Sequence, residues 1–107
     1  MEHINAYKIA ESYAEDIMLE REYWSEDDIY DIASEHADGS EWVIYYSKAH
    51  DFVRSLPSDI QEQAEDSVAD CGGAESYDDY AVKIAYFALQ QMICESVQEK
   101  LDELEVA

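Results

Sequence analysis

Apolar side chains occupy nearly every side of one stretch of the chain, Tyr80 to Cys94. Its one charge is Lys83, in a chain of 107 residues that carries 27 carboxylates. The stretch contains neither Gly nor Pro. A helix that is apolar all round must be surrounded by other helices. The pattern therefore predicts a buried C-terminal helix, from about residue 77 to residue 104, around which the rest of the chain packs.

Amphipathic segments precede this helix, and each pairs an apolar face with a polar face at helical spacing. The first runs from Ile4 to about Trp24. The second begins at Ser25, which has capping-box spacing to Asp28, and we expect Gly39 to end it in the left-handed conformation. The predicted inward residues of these two helices are Ile4, Tyr7, Ala10, Tyr13, Ala14, Ile17 and Met18, followed by Ile29, Ile32, Ala33 and His36.

Capping residues and helix breakers bound the remaining helices. Ser40 is placed to cap a third helix, and Pro57 ends it. A capping-box pair, Ser58 with Gln61, opens the fourth helix, and Gly72 with Gly73 ends it. Ser76 with Asp79 opens the fifth helix. The predicted inward residues are Trp42, Tyr45, Tyr46, Ala49, Phe52, Val53 and Leu56 in the third helix, and Ile60, Ala64, Val68 and Cys71 in the fourth.

No segment alternates apolar and polar residues with the period of a strand, and no repeat or linker divides the chain. A chain of 107 residues is long enough for one modest core. The patterns predict an all-α fold: a single compact domain, residues 1–107, of about five helices around a buried C-terminal helix. No stretch approaches the ~18–20 apolar residues of a membrane span or resembles a signal peptide, so we expect a cytoplasmic protein.

Acidic residues dominate the polar faces. The chain has 27 Asp and Glu residues against 6 Lys and Arg, a net charge of −21, yet its 48% apolar residues set it apart from a disordered acidic tail. Twelve acids and one base lie between residues 11 and 41, and eight acids and no base lie between residues 59 and 79. The sequence therefore predicts a folded polyanion.

Two sets of these acids fall at helical spacing, and we call them the first and second acidic stripes. They comprise Asp27, Asp31, Glu35 and Asp38, and Asp59, Glu62, Asp66 and Asp70. Neighbours on such a stripe lie about 5–6 Å apart, and each like-charge pair costs roughly 0.2–0.5 kcal/mol, so the stripes oppose folding. Duplex DNA carries one charge per ~1.7 Å, which makes the 21 net charges equivalent to about 36 Å of duplex. We predict that both stripes bind a basic partner.

The acidity could also have one of two simpler origins, and both stay open. A charged run is often only a solvated helix face, and proteins adapted to high salt are also rich in Asp and Glu and poor in Lys. The chain has thirteen aromatic residues, which is more than salt-adapted proteins usually contain. An acidic helical protein without mimicry is therefore one alternative.

Motifs for catalysis or metal binding are absent from the sequence. His3, His36 and His50 form neither an HExxH pair nor Cys/His zinc spacing, and no glycine-rich phosphate loop, GxSxG elbow or calcium loop occurs. We expect His36 and His50 to be core or boundary residues. Cys71 and Cys94 lack CxxC spacing, and we expect free thiols. The protein should have no catalytic residues, no metal and no cofactor.

In size, acidity, helical content and lack of catalytic motifs, the chain resembles the small DNA-mimic inhibitors that bacteriophages make against host nucleases, the anti-CRISPR and anti-restriction proteins. Residues 41–50, Glu-Trp-Val-Ile-Tyr-Tyr-Ser-Lys-Ala-His, are also similar to a segment of small uncharacterised phage proteins. The resemblance implies a non-enzymatic inhibitor in the host cytoplasm. Its partner would be a basic DNA- or RNA-binding protein, such as a Cas subunit, a restriction enzyme or another nuclease, and it would contact neither nucleic acid nor membrane.

A second resemblance concerns residues 39–46. Their sequence, Gly-Ser-Glu-Trp-Val-Ile-Tyr-Tyr, is similar to the Gly-Ser-Asp-Leu-Ile-Tyr-Tyr core of the colicin nuclease immunity proteins, which are also small, acidic and helical. Trp42–Val43 stands where that family has a single Leu. The family's tyrosine pair contacts the toxin, whereas the periodicity here predicts Tyr45 and Tyr46 on an inward face. An immunity protein that neutralises a nuclease toxin is therefore the alternative function.

Added salt should stabilise the protein at neutral pH, because screening weakens the repulsion between neighbouring carboxylates of each stripe. We expect the melting temperature, followed by the helical circular dichroism signal, to rise between low and moderate ionic strength. A melting temperature that stays constant over this range would contradict a surface of dense acidic residues.

Overall fold

The computed structural model describes residues 4–106, which form helices joined by short turns. The helices are α1 (Ala6–Leu19), α2 (Ile29–Asp38), α3 (Glu41–Ile44), α4 (Tyr46–Arg54), α5 (Ser58–Asp70) and α6 (Tyr77–Val106). Two 3-10 turns, Arg21–Tyr23 and Glu26–Asp28, lie between α1 and α2. These residues contain no strand, and the predicted all-α fold is confirmed, with six helices where the periodicity predicts about five.

Helix α6 lies at the centre of the fold, and each of the other helices packs against it. Apart from Gln90, its buried side chains are small or apolar, namely Ala81, Ile84, Ala85, Ala88, Leu89, Met92, Ile93, Val97 and Leu101. The predicted buried C-terminal helix is thus confirmed, although the Tyr80 ring near its start is 37% exposed. Among the residues described, no helix combines the length and the apolar character needed to cross a membrane.

Helix α1 turns its predicted face towards the core, with Tyr13 and Met18 only partly buried, except at Tyr7, which is 56% exposed. The buried residues are Ala6, Ala10, Ala14 and Ile17, so Tyr7 falls beside this line rather than on it. The helix also ends at Leu19, earlier than predicted. Trp24 is nevertheless buried. Its side chain reaches back towards α1, and the indole N–H donates to the Ile17 carbonyl oxygen at 2.8 Å.

The turn between α2 and α3 differs from its prediction. Gly39 ends α2 with a φ of −88°, so the predicted left-handed conformation is wrong. Ser40 does not cap α3, because its hydroxyl donates to the Ala37 carbonyl oxygen at 2.8 Å. The chain needs no left-handed residue here, since the N–H of Gly39 still bonds to the Glu35 carbonyl and α3 begins two residues later.

The third predicted helix is interrupted at Tyr45, whose backbone is extended with φ −102° and ψ 123°. The interruption leaves α3 as a single turn and starts α4 at Tyr46. Tyr45 and Tyr46 are 57% and 59% exposed, so the prediction that they face inward is wrong, and Val43 is buried instead. Because one extended residue interrupts the helix, the side chains before it and those after it no longer share one face. A prediction from unbroken helical periodicity cannot include that interruption.

Helix α5 begins directly after Pro57, which occupies the N-cap position. The predicted capping box of Ser58 and Gln61 is therefore wrong, because Ser58 already lies inside the helix and makes no capping bond. Gln61 instead donates from its side-chain amide to Glu65, one turn further along.

Helix α5 ends in the predicted pair of glycines, and both have positive φ, 99° at Gly72 and 83° at Gly73. The N–H of Gly73 donates to the Val68 carbonyl oxygen and that of Gly72 to the Ala69 carbonyl oxygen. These two bonds form a Schellman motif, which satisfies carbonyl groups at the end of the helix. Cys71 is the C-cap residue and is exposed, so its predicted burial is wrong.

Helix α6 is capped at its start by Ser76, as predicted, because the N–H of Asp79 donates to the Ser76 hydroxyl at 3.0 Å. The Asp79 carboxylate accepts from the N–H of Glu75 and lies 3.1 Å from the Lys83 ammonium. These two contacts, chiefly the first, hold the pKa of Asp79 below its ordinary value. Lys83 also donates to the Gly73 carbonyl oxygen. The one basic residue of Tyr80–Cys94 therefore connects the turn before α6 to that helix.

Replacing Gly72 with alanine should destabilise the protein by about 1–2 kcal/mol, because alanine is strained at positive φ. Gly39→Ala is the matched control: its φ of −88° suits any residue, and an added Cβ would meet the Glu35 carbonyl oxygen at 3.5 Å, an ordinary contact. We expect this control to be as stable as the parent or slightly more stable. Urea unfolding measures both variants. Equal losses would contradict the left-handed conformation at Gly72.

Candidate partner-binding surface

All eight carboxylates of the two acidic stripes are exposed. The first stripe starts in the 3-10 turn Glu26–Asp28 and continues along α2, and the second follows α5. Each of these helices packs against α6 through an apolar face, formed by Ile29, Ala33 and Ala37 in α2 and by Ile60, Ala64 and Val68 in α5. The stripe carboxylates lie outside these apolar faces, on parts of each helix that solvent reaches. The exposure that partner binding requires is therefore present in both stripes.

The stripe carboxylates make no ion pair within residues 4–106. The basic side chains that do pair in this part of the chain use other acids: Lys48 with Glu41 at 2.6 Å, His50 with Asp78 at 2.8 Å, Arg54 with Asp51 at 3.1 Å, and Lys83 with Asp79 at 3.1 Å. The negative charge of the stripes is therefore not neutralised by the bases of the described residues, and it is available to an external cation.

The two stripes lie on different helices, which do not pack extensively against each other. Helices α2 and α5 each pack along α6, and no extensive contact joins them among the described helices. The described residues measure 45 × 34 × 23 Å. Residues 4–106 carry 26 acids and 6 bases, and their net charge of −20 along the 45 Å axis is roughly one charge per 2 Å, close to the one per ~1.7 Å of duplex DNA. The protein thus carries acidic stripes on two helices, and its overall charge density is near that of DNA.

A histidine–aspartate pair was not apparent in the sequence. His50 Nε2 lies 2.8 Å from Asp78 Oδ1, and the His50 ring stacks on Tyr77 with 4.8 Å between ring centroids. Because 28 residues separate His50 from Asp78, no local motif marks the pair. Ser47 lines the same cleft, but its hydroxyl makes no hydrogen bond to His50, so the nucleophile–base contact of a hydrolase is not formed. The pair links α4 to the first turn of α6.

Residues 4–106 contain no group of three or more His, Cys, Asp or Glu side chains that could hold a metal ion. His3 lies outside the described residues. His36 is half-buried with its ring 5.9 Å from that of Tyr13, which confirms the predicted boundary position. That the protein works without a metal or cofactor stays a prediction.

Exposed aromatic residues are the feature that the sequence pattern missed. Seven tyrosines are exposed: Tyr7, Tyr23, Tyr30, Tyr45, Tyr46, Tyr77 and Tyr80. At the break between α3 and α4, three large apolar residues are exposed in succession, Ile44, Tyr45 and Tyr46, and we call them the tyrosine patch. The similarity to the immunity-protein core was the one signal that could have indicated this exposure.

Comparison of the chain with protein-family models, with curated proteins and with solved structures finds no match. The resemblances to phage inhibitors and to immunity proteins therefore rest on composition and on short segments of sequence. A function must be inferred from the surface itself, that is, from the acidic stripes and the tyrosine patch.

The two thiols should differ in reactivity. Cys71 is exposed at the end of α5, whereas burial on α6 raises the pKa of the Cys94 thiol; a hydrogen bond from Gln90 opposes this increase in part, and the nearby Glu95 carboxylate adds to it. A raised pKa leaves less of the reactive thiolate at neutral pH. We expect Cys71 to react much faster with an aromatic disulfide reagent, followed by absorbance. Cys71→Ser should remove the fast phase and Cys94→Ser the slow one; a single rate for both thiols would contradict the structure.

Proposed function

We propose that this protein is a non-enzymatic inhibitor that occludes the basic nucleic-acid-binding groove of another protein, with its acidic stripes imitating the DNA backbone. The partner belongs to the class of host defence machines that bind nucleic acid, such as a CRISPR effector or a restriction enzyme, and a phage-encoded inhibitor would meet it in the host cytoplasm. The observation that supports the proposal is the exposure of eight stripe carboxylates that have no ion-pair partner within residues 4–106.

Many weak contacts would supply the affinity. An exposed ion pair contributes at most about 1 kcal/mol, so a single carboxylate matters little, whereas several acting together in a confined basic groove add to a useful affinity. Carboxylates and phosphates accept hydrogen bonds from the same Arg and Lys side chains. The stripes also lie on helices that pack on α6, which lowers the entropy lost on binding compared with a disordered acidic tail.

An immunity protein that neutralises a nuclease toxin is the second candidate. The exposure of Tyr45 and Tyr46 favours it, because the immunity proteins that residues 39–46 resemble use a tyrosine pair at the toxin surface. Both candidates bind a nuclease through an acidic protein surface. They differ in one respect: a DNA mimic excludes nucleic acid from its partner, whereas an inhibitor that binds beside the active site leaves room for it.

Competition distinguishes these candidates. A purified restriction endonuclease and a CRISPR effector complex, each loaded with labelled target duplex, are titrated with this protein in a mobility-shift assay. For the true partner we expect release of the duplex without a ternary complex, and displacement of the protein by excess duplex. Both equilibria should weaken as salt rises, because both release counter-ions. A stable complex of all three components would contradict direct occlusion.

Variants of the stripes identify the surface in the same assay. Asp31→Ala alone should weaken binding by at most about fivefold, the effect of one exposed ion pair, whereas reversal of both stripes to Lys should abolish inhibition. The matched control reverses eight exposed acids outside the stripes and therefore has the same net charge; these are Glu15, Asp16, Glu20, Glu22, Glu99, Asp102, Glu103 and Glu105. Circular dichroism checks that both proteins are folded. A folded stripe-reversed protein that still inhibits would refute the mimic.

A further inference from the structure

The tyrosine patch interrupts the acidic surface. Ile44, Tyr45 and Tyr46 are each more than half exposed, and they are consecutive in the chain. Single apolar residues on a surface are common, but a run of three exposed apolar residues is unfavourable unless it serves a function. The break at Tyr45 creates this run, because Tyr45 is extended where the flanking residues are helical.

The patch lies in residues 41–54, a segment with no net charge in a chain of net charge −21. Glu41 pairs with Lys48 at 2.6 Å, and Asp51 pairs with Arg54 at 3.1 Å. Lys48 also lies 5.5 Å from the centroid of the Trp42 ring. The centre of a protein interface is typically poor in charge and rich in tyrosine, while its rim is polar. The patch has the composition of such a centre, and the stripes have that of a rim.

A short turn connects the patch to the first acidic stripe. Helix α2 ends at Asp38, the last residue of that stripe, and α3 begins at Glu41. The two helices also contact each other directly. Since α3 is a single turn, about 6 Å long, the patch at its far end lies close to the end of the stripe. One partner surface can therefore cover both.

We infer that the tyrosine patch docks arginine side chains of the basic partner and gives the protein a preference for arginine-rich over lysine-rich surfaces. The planar guanidinium of arginine stacks on aromatic rings and is more weakly hydrated than the ammonium of lysine. The neutrality of the patch and the acidity around it match such a partner, whose charge the stripes attract and whose arginine the tyrosines hold. The inference rests on the proposed function, because it assumes a basic partner, and it adds the partner's chemistry.

Fluorescent oligo-arginine and oligo-lysine peptides of equal length provide the test, with Kd measured by fluorescence anisotropy. The readout is the ratio of the lysine Kd to the arginine Kd in each protein, because carboxylates alone already favour arginine somewhat. Replacing Tyr45 and Tyr46 together with Leu keeps the apolar area and removes the rings. We expect the ratio to fall by about two- to fivefold.

Tyr7→Leu with Tyr23→Leu is the matched control, since both rings are more than half exposed outside the patch. The control should keep the parent ratio, and so should the variant with Phe at positions 45 and 46, which retains the ring faces. An unchanged ratio in the Leu variant of the patch, or an equal fall in the control, would overturn the inference.

The parent protein supplies a second readout that does not depend on the folding of any variant. On addition of oligo-arginine, the nuclear magnetic resonance signals of the Tyr45 and Tyr46 rings should shift more than those of the Tyr7 and Tyr23 rings. Equal shifts in the two pairs would also overturn the inference.

Failure of the inference and failure of the proposed function have different signatures. Suppose that the stripe-reversed protein no longer binds either peptide, while the patch variant keeps the parent's ratio of lysine Kd to arginine Kd. The arginine preference of the patch is then refuted and the proposed function stands. If the stripe-reversed protein binds both peptides as before while the patch variant lowers the ratio, the mimic is refuted and the patch stands.

Discussion

Burial of α6 by the surrounding helices is the interaction on which the structure depends. The largest completely buried side chains are Phe52, Val68, Ile84, Leu89, Ile93 and Val97, and four of the six belong to α6. Repulsion between successive carboxylates of the two stripes costs roughly 1–3 kcal/mol in all. Burial of one large aliphatic side chain contributes about 1.5–3 kcal/mol. Burial of one large core side chain is therefore comparable with the repulsion within the two stripes.

The central position of α6 also accounts for the placement of the acidic residues. Because α1 to α5 each direct an apolar face to the same helix, each has a second face that makes no contribution to the core. The acids of α2 and α5 occupy such faces, and the ion pairs of the described residues lie elsewhere, on α3, α4 and the start of α6. The result is a folded polyanion in which one neutral segment, residues 41–54, exposes aromatic side chains. A merely solvated or salt-adapted surface accounts for the acids but gives no reason for three exposed apolar residues in succession.

Features that depend on neighbouring residues in the chain could be predicted from the sequence by itself. The buried C-terminal helix, the amphipathic faces of α2 and α5, the exposure of both stripes and the end of α5 at Gly72 and Gly73 are all of this kind. Their common physical reason is that helical periodicity and capping geometry are determined within a few residues. Much of the fold and the location of the acidic residues are therefore determined by local sequence.

Other features were decided only when the helices packed together. The break at Tyr45 exposes a tyrosine pair that an unbroken helix would have buried, and Gly39 stays outside the left-handed region because α3 begins at once. The contact between His50 and Asp78 joins residues 28 positions apart, and no local pattern contains it. In each case the outcome depends on contacts that the periodicity of a single helix does not contain. Periodicity along one segment reports which residues are apolar, but only the packed structure determines where a helix must bend to bury them.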